Sequence, residues 1–579
     1  MSTPYRRRGV YLLITALVAI LALSGCGRVV VLDGTAAPRY PQPDAPDVAK
    51  LPDLPAYKNT LTWSEFKDGV AKAISTGVKN GAVTDHSRID QIVYKLADAD
   101  HDDPGVQVVM ATVLSMAKTQ SKAPAQIAES GRSAEDGALA WAPCGDDGLE
   151  CASLKVPLDY DNPGDTIEIK LDRYKAKDPD KRIGVLLGNP GGPGGSGIDF
   201  LPAWYGGLSD EIKDSFDVVS FDPRGVGQSD PFYCGPVSGS SDVNPDPKTK
   251  AEEDAYTEQA GKFADACAKA GKDMLKHMGT KDVARDVEKI RTAMGEDQIS
   301  YVGYSYGTAI GQTYANMFPG KVRAFVLDGV MNTAVTKQQL SSAQTAAFDK
   351  ALRRFSGSCE KVCTGLAQYL TTKLQDDNIE SKYLSSSDYV DQTYLNIGIS
   401  AALYSAKRWP YLAWALREAA ADSDGTLLAL SVDDYTGRSI FSGEYTSNGD
   451  DSFSAVMCRD FATSSLDDAY AMSRSDNRLH PVFANRPDVI CNEWPVPPDP
   501  LGALTWPKGT PVLLVSTTGD PATPHEMGKS VAARNPSAVL LTHDGDGHTA
   551  YSNGDSCIDD KVNKFLLDVK APKKGTVCK

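Results

Sequence analysis

The spacing of hydrophobic residues changes three times along the chain. From Val10 to Leu23 they are almost continuous, interrupted only by Thr15. From about residue 60 to 130 they recur every three or four positions, first as Trp63, Phe66, Val70 and Ile74, then as Ile89, Ile92, Val93 and Leu96. That period predicts helices with one buried face, and Thr62 followed by Glu65 is a capping-box start. Both sets read as core faces of a small helical element. From about residue 150, short apolar runs at 166–174, 183–187, 216–221, 299–303, 322–327, 511–516 and 538–541 alternate with helical stretches. One such stretch is 281–294, where Val283, Val287 and Ile290 share a face. Runs that are apolar throughout suit strands covered on both sides. Their alternation with helices predicts an α/β fold with a mostly parallel sheet.

One interval breaks that rhythm. Between Val330 and Leu504 there are helix-like stretches and four cysteines but no strand series. An insertion of this size between two core strands reads as a helical cap. The expected partition is a signal segment at 1–25, a tether at 26–57, an N-terminal helical region at 58–135, the α/β core at 140–332 and 506–579, and the cap at 333–505.

The first apolar run is too short for a membrane span, which needs about 20 residues, but suits the core of an export signal. Arg6, Arg7 and Arg8 precede it, and Leu23-Ser24-Gly25-Cys26 ends it. Small residues directly before a cysteine resemble the lipobox of bacterial lipoproteins, where cleavage leaves Cys26 to carry diacylglycerol. The expectation is an exported chain, lipid-anchored to the outer face of the cell membrane, with the twin-arginine and general export routes both open. Six prolines between Pro38 and Pro55 then form an extended, semi-rigid spacer.

Composition narrows the partners. The formal charge is −16, and it becomes more negative once the three arginines of the signal are removed. A basic face for phosphate backbones is therefore not expected, and no nucleic acid is expected as a partner. Of 11 cysteines, Cys26 is assigned to the lipid. The other ten fall into neighbouring pairs: Cys144–Cys151, Cys234–Cys267, Cys359–Cys363, Cys458–Cys491 and Cys557–Cys578. An oxidising compartment favours disulfides, although sequence alone leaves their connectivity open. No metal site is expected. The run Asp98-Ala99-Asp100-His101-Asp102-Asp103 begins like a calcium loop, but it has Asp103 where the loop needs Gly and Val109 where it needs a bidentate Glu.

The chemistry centres on Gly303-Tyr304-Ser305-Tyr306-Gly307, which follows the run 299–303 directly. This is G-x-S-x-G in the strand–turn–helix context that lifts a serine hydroxyl clear of a sheet edge. A serine attacks only if an imidazole takes its proton, and an acid must orient that imidazole. Both should lie downstream, acid before base. Asp520 follows the run 511–516, at the carboxyl end of a strand where open α/β sheets place their sites. His548 lies in Asp544-Gly545-Asp546-Gly547-His548, whose glycines permit a loop returning toward Ser305. His525 is too close to Asp520, and His543 lies nearer the strand end than the loop tip. Asp328, after the run 322–327, is the rival acid, while Asp544 and Asp546 read as solvated loop residues. The glycine-dense Asn189–Gly197 loop can offer backbone N–H groups to an oxyanion. Gly192 from that loop and Tyr306 after the nucleophile are the expected donors. The same loop matches G-x-G-x-x-G, but an exported chain with a complete triad elsewhere argues against a nucleotide cofactor.

The set formed by Asn189–Gly197, Phe221-Asp222-Pro223-Arg224-Gly225-Val226-Gly227-Gln228-Ser229, the Ser305 elbow, Ala455–Asp460, Cys491–Pro495 and the Asp520 and His548 segments resembles the actinobacterial tripeptidyl aminopeptidase group of α/β-hydrolases. The resemblance spans about 140–579 and leaves the N-terminal helical region outside. Pro190 stands where the related prolyl aminopeptidases have His. The resemblance implies an exopeptidase that releases short peptides from free N-termini without a cofactor. Asp222 and Arg224 are expected to be structural. An aminopeptidase also needs a carboxylate for the substrate ammonium, and Glu444, Asp450, Asp451 and Asp460 are candidates. A carboxylesterase or lipase-like enzyme of envelope esters could use the same triad, and a non-catalytic binding lipoprotein is the third reading.

Overall fold

The computed structural model describes residues 60–579 apart from 123–138, 145–147, 236–242, 245, 359–361, 376, 386–387, 446 and 484–486. Cys26, the signal segment and the tether lie outside the described residues, as does Cys359. The strands, in chain order, are β1 (Ala142–Pro143), β2 (Glu150–Pro157), β3 (Thr166–Tyr174), β4 (Gly184–Asn189), β5 (Phe216–Phe221), β6 (Ile299–Tyr304), β7 (Val322–Asp328), β8 (Ile379–Glu380), β9 (Tyr389–Val390), β10 (Val512–Gly519), β11 (Val539–Asp546) and β12 (Val577–Cys578). All but β8 and β9 join one sheet in the order β1-β2-β3-β5-β4-β6-β7-β10-β11-β12. Pairing is antiparallel from β1 to β5 and parallel from β5 to β12. Every residue of β4, β5 and β6 is buried, as an uninterrupted apolar run requires.

Strand β11 runs through Asp544 and Asp546, which the sequence placed in a loop. Its outer neighbour is β12, paired at Thr542–Val577 and His543–Cys578. The last residues of β11 are carried by β10, where Gly519 pairs with Asp546 beyond a register shift, so no local pattern announces the extension.

Three helices precede the sheet: α1 (Trp63–Asn80), α2 (Ser87–Leu96) and α3 (Pro104–Gln120). Thr62 and Glu65 form the capping box at α1, and Asp103 caps α3 through its side chain. The aspartate run thus serves as a helix-starting turn, with His101 stacked on Trp63. Helices α4 (Gly197–Gly207), α5 (Asp210–Ser215), α6 (Lys250–Lys276), α7 (Thr280–Ala293) and α8 (Gly307–Met317) follow. Seven more occupy the interval between β7 and β10: α9 (Lys337–Ser358), α10 (Val362–Lys373), α11 (Gln392–Leu403), α12 (Trp409–Ala421), α13 (Thr426–Thr436), α14 (Gly449–Asp460) and α15 (Leu466–Leu479). Helices α16 (His525–Arg534) and α17 (Ser556–Asp568) complete the chain.

Helices α7, α8 and α16 cover one sheet face through Val287, Ile290, Ile310, Tyr314 and Val531. Helices α4, α5 and α17 cover the other through Trp204, Ile212, Val562 and Phe565. The inserted interval divides its allegiance. Helix α14 packs on the sheet side, with Val456, Met457 and Phe461 in a cluster that includes Tyr306 and Ala309. Helices α9 to α13 instead share one apolar cluster with α1 to α3, joining Phe66, Ile89, Ile92 and Val113 to Phe348, Leu395, Leu416 and Leu430. The N-terminal helices therefore have no core of their own; an amphipathic helix buries its face against whatever apolar surface the tertiary fold offers.

Disulfides join Cys144–Cys151, Cys234–Cys267, Cys458–Cys491 and Cys557–Cys578. Cys363 is also disulfide-bonded. Among the described residues, no helix is long and apolar enough to cross a membrane.

Candidate active site

Four neighbouring strands, β6, β7, β10 and β11, end at the same edge of the sheet, and each delivers a polar residue there. Tyr304 closes β6, and Ser305 follows with φ +55 before α8 begins. A left-handed serine costs on the order of 1–3 kcal/mol, a strain that persists only where the surroundings impose it. Its N–H donates to the Asp328 carbonyl (2.8 Å), fixing the elbow to the end of β7.

Asp520 follows β10 and is buried. Its Oδ1 accepts the N–H groups of Ala522 and Thr523, each at 2.8 Å, and its Oδ2 accepts the Thr523 hydroxyl at 2.9 Å. Both oxygens stand 2.9 Å from His548 Nδ1. The other ring nitrogen of His548, Nε2, is buried without a partner. The ring is thus held at one nitrogen and free at the other, the arrangement a proton acceptor needs. Thr523, three residues after Asp520, also lies 3.3 Å from His548 Nδ1; its place in the turn Asp520–Thr523 is the local signal that could have found it.

Asp328 does not reach the imidazole in this way. Its Oδ2 accepts the N–H groups of Ala550 and Tyr551, each at 2.8 Å, so it anchors the main chain just past His548. Burial pushes its carboxyl up to about 7. His525 is bonded to Ser516, and His543 to Thr517 and Asp555.

The Asn189–Gly197 loop passes under the elbow. Gly191 has φ +88, and a Cβ there would stand 2.7 Å from the Tyr306 nitrogen. Neither Gly192 nor Tyr306 donates its N–H to the backbone among the described residues. Asp222 accepts from the Ser196 hydroxyl (2.7 Å) and the Ile198 N–H (3.1 Å) at the start of α4. A carboxylate therefore occupies the helix N-terminus at which the dinucleotide fingerprint would seat a pyrophosphate. Arg224 is fully buried in a two-bond pair with Asp286, at 2.7 Å each.

The candidate carboxylates from the inserted interval have different surroundings. Asp460 is buried, accepts both the Thr280 N–H (3.0 Å) and the Tyr306 hydroxyl, and is pushed by burial up to about 6. Asp451 accepts the Cys234 N–H. Glu444 is exposed on the turn after α13. Asp450, at the start of α14, is open to solvent and makes no ion pair among the described residues. Desolvation, with neighbouring Asp451 adding to it, nevertheless pushes its carboxyl up to about 7. The start of α14 borders the Asn189–Gly197 loop, because the main chain at Gly449 abuts Gly194, where a Cβ would strike the Gly449 carbonyl. Burial raises the hydroxyl of Tyr435, and the charge of Asp450 adds to the shift. Tyr435 bonds to Tyr404 (3.4 Å), whose ring meets His548 edge-on at 5.2 Å. Neither tyrosine carries a local sequence signal; tertiary folding alone brings them to the site.

The profile of the α/β-hydrolase fold family matches residues 184–555. The chain is 34% identical over 475 residues to the serine protease Hip1 of Mycobacterium tuberculosis, covering 76% of this chain and 90% of that protein. It is 36% identical over 459 residues to carboxylesterase B of the same species, covering 74% and 86%. It is 29% identical over 456 residues to the tripeptidyl aminopeptidase of Streptomyces lividans, covering 74% and 83%. With this architecture and these relatives, the chain belongs to the α/β-hydrolase fold family and is a serine hydrolase.

Proposed function

We propose that the chain is an exported aminopeptidase that releases short peptides from free N-termini through a Ser305–His548–Asp520 triad. Ser305 attacks the scissile carbonyl while His548 Nε2 takes its proton. Asp520 holds the imidazole in the tautomer with hydrogen on Nδ1 and stabilises the cation that forms. The Gly192 and Tyr306 N–H groups receive the oxyanion, where a preorganised donor is worth on the order of 3 kcal/mol. His548 then returns the proton to the leaving amine, and water resolves the acyl-enzyme by the same route. Cys26 carries the lipid that keeps the enzyme on the outer face of the membrane.

The observation that carries the peptide reading is Asp450. A solvent-open carboxylate with no ion pair among the described residues, one residue after the Gly449 that abuts the Asn189–Gly197 loop and close enough for its charge to act on Tyr435, suits the ammonium of a substrate N-terminus. An ester lacking an amine has no use for it. The relatives bear protease, aminopeptidase and carboxylesterase names, so the assay must separate these chemistries. Free and N-blocked tripeptide amides, with short- and long-chain esters beside them, are offered to the purified protein and to Ser305→Ala. Preference for free peptides, lost in Ser305→Ala, is the expected result. Equal rates on blocked and free peptides would overturn the aminopeptidase assignment, and activity surviving Ser305→Ala would overturn the triad.

A further inference from the structure

The three N-terminal helices lie outside the matched family segment, which begins at residue 184. They nevertheless pack against the helix that supports one wall of the site. Helix α3 lies on α12 and α13, and the contact is polar as well as apolar. Arg88 of α2 is buried; its guanidinium bonds to Asp433 of α13 (2.6 Å), to Asp388 (3.3 Å) and to the Ser439 carbonyl (3.1 Å). Gln120, the last residue of α3, accepts the Ile440 N–H (2.7 Å) and donates to the Arg438 carbonyl (3.2 Å). The segment 433–440 is thus held at both ends by residues of the N-terminal unit.

Tyr435 lies within that segment and meets Tyr404, hydroxyl to hydroxyl. Tyr404 contacts His548 twice: its ring meets the imidazole edge-on, and its carbonyl accepts the His548 N–H at 2.8 Å. Asp520 secures Nδ1 but leaves the tilt of the ring and the path of its loop to other contacts. Tyr404 supplies one contact of each kind, while Asp328 anchors the chain beyond the ring, and α13 supports Tyr404.

We propose that helices α1 to α3 are a working part of the active site, a brace that acts through Tyr435 and Tyr404 to orient His548, with Arg88 and Gln120 as its positioning residues. The proposal rests on His548 being the general base. It gives the N-terminal unit a role in turnover beyond stability.

The test is a double-mutant cycle on the purified full chain with Gln120→Ala, Tyr435→Phe and the two combined. Rates are expressed per active site counted by fluorophosphonate titration, so unfolded molecules drop out. Each single change is expected to lower kcat/KM about threefold to tenfold, mainly in kcat. The combined loss should fall short of the product by at least about threefold, because both changes release the same wall. Arg88→Lys, which keeps the charge but loses the fork, should give a smaller loss of the same kind. Strictly multiplicative effects would overturn the brace, as would a Gln120→Ala protein that melts earlier yet keeps full kcat/KM per titrated site. If the unaltered chain takes up no fluorophosphonate, the triad fails and the brace with it; multiplicative effects in a chain that titrates normally sink the brace alone.

Discussion

Replacing Asp520 with Asn tests the site most sharply, because the surrounding donors dictate how the amide must sit. Oδ1 of Asp520 accepts two backbone N–H groups, from Ala522 and Thr523, at 2.8 Å each. An amide NH₂ in that position would oppose donor to donor, so the asparagine oxygen must remain there. The NH₂ then takes the place of Oδ2, which faces the Thr523 hydroxyl, able to turn and accept, His548 Nδ1 at 2.9 Å and, more distantly, the Thr549 N–H at 3.4 Å. Both lone pairs of the remaining oxygen are engaged, and the NH₂ presents hydrogen to the ring. His548 must answer with a bare Nδ1, which puts its hydrogen on Nε2 and leaves nothing to accept the Ser305 proton. Reversing the tautomer in a Ser-His-Asp site costs about ten-thousandfold in rate, or about 5.4 kcal/mol at 1.36 kcal/mol per tenfold. Apart from the long contact with the Thr549 N–H, the hydrogen bonds of the introduced amide match those of the carboxylate, so the melting temperature should stay within a few degrees. The assay is kcat/KM on the best peptide and ester substrates, with the rate of fluorophosphonate labelling measured beside it; both should fall together. A folded Asp520→Asn protein within about tenfold of the unaltered chain would refute the assigned acid and the tautomer argument.

Four further outcomes follow from the geometry. The Asp450 carboxyl is raised to about 7 by desolvation and Asp451, so it is ionised above that pH and neutral below; the ratio of kcat/KM on free over N-blocked peptides should rise through pH 7, and Asp450→Asn should flatten that ratio and bring it toward one. Gly191→Ala places a methyl 2.7 Å from the Tyr306 nitrogen at a φ of +88, and should cut kcat at least about a hundredfold, the size of one lost oxyanion donor; a folded variant with normal kcat would remove this loop from the oxyanion hole. Arg224→Met leaves the buried Asp286 carboxylate with the Tyr160 hydroxyl as its side-chain partner among the described residues and should cost about 3–5 kcal/mol in urea unfolding, whereas Arg224→Met combined with Asp286→Leu should recover part of it; equal losses would show that charge burial is not the cause. Asp328 keeps its proton to about pH 7 in the folded chain but loses it near 4 when unfolded, so its contribution to stability falls as pH rises between those values; Asp328→Asn should gain at least about 1 kcal/mol relative to the unaltered chain from pH 5 to 7.5, and pH-independent differences in urea titrations would contradict the raised carboxyl.

The residues proposed for the triad each carry a local signature tied to strand ends. Ser305 lies in a glycine-flanked elbow after an apolar run, Asp520 follows another such run, and His548 sits in a glycine-rich return. The parallel sheet was legible for a related reason: strands buried on both faces must be apolar throughout, and that shows in a short window. Even so, the chain order of Asp328, Asp520 and His548 could not say which acid faces the imidazole. That was decided by the packing of β7 beside β10, which leaves Asp328 facing the backbone of Ala550 and Tyr551.

The rest depends on contacts between residues far apart in sequence. Nothing near Tyr404 or Tyr435 marks them as neighbours of His548, and nothing near Arg88 shows that its partner is Asp433. Asp450 and Asp460 look alike as acids on one helix, yet one is open to solvent and the other is buried and engaged by Thr280 and Tyr306. By itself the amino-acid sequence determined the alternation of strands and helices and the strand–turn–helix elbow at Ser305, because periodicity and turn chemistry act over a few to a few dozen residues. Only the tertiary structure decided that the N-terminal helices share a core with the inserted ones, and which carboxylate faces which group, because burial and electrostatics are set by what the finished fold brings together.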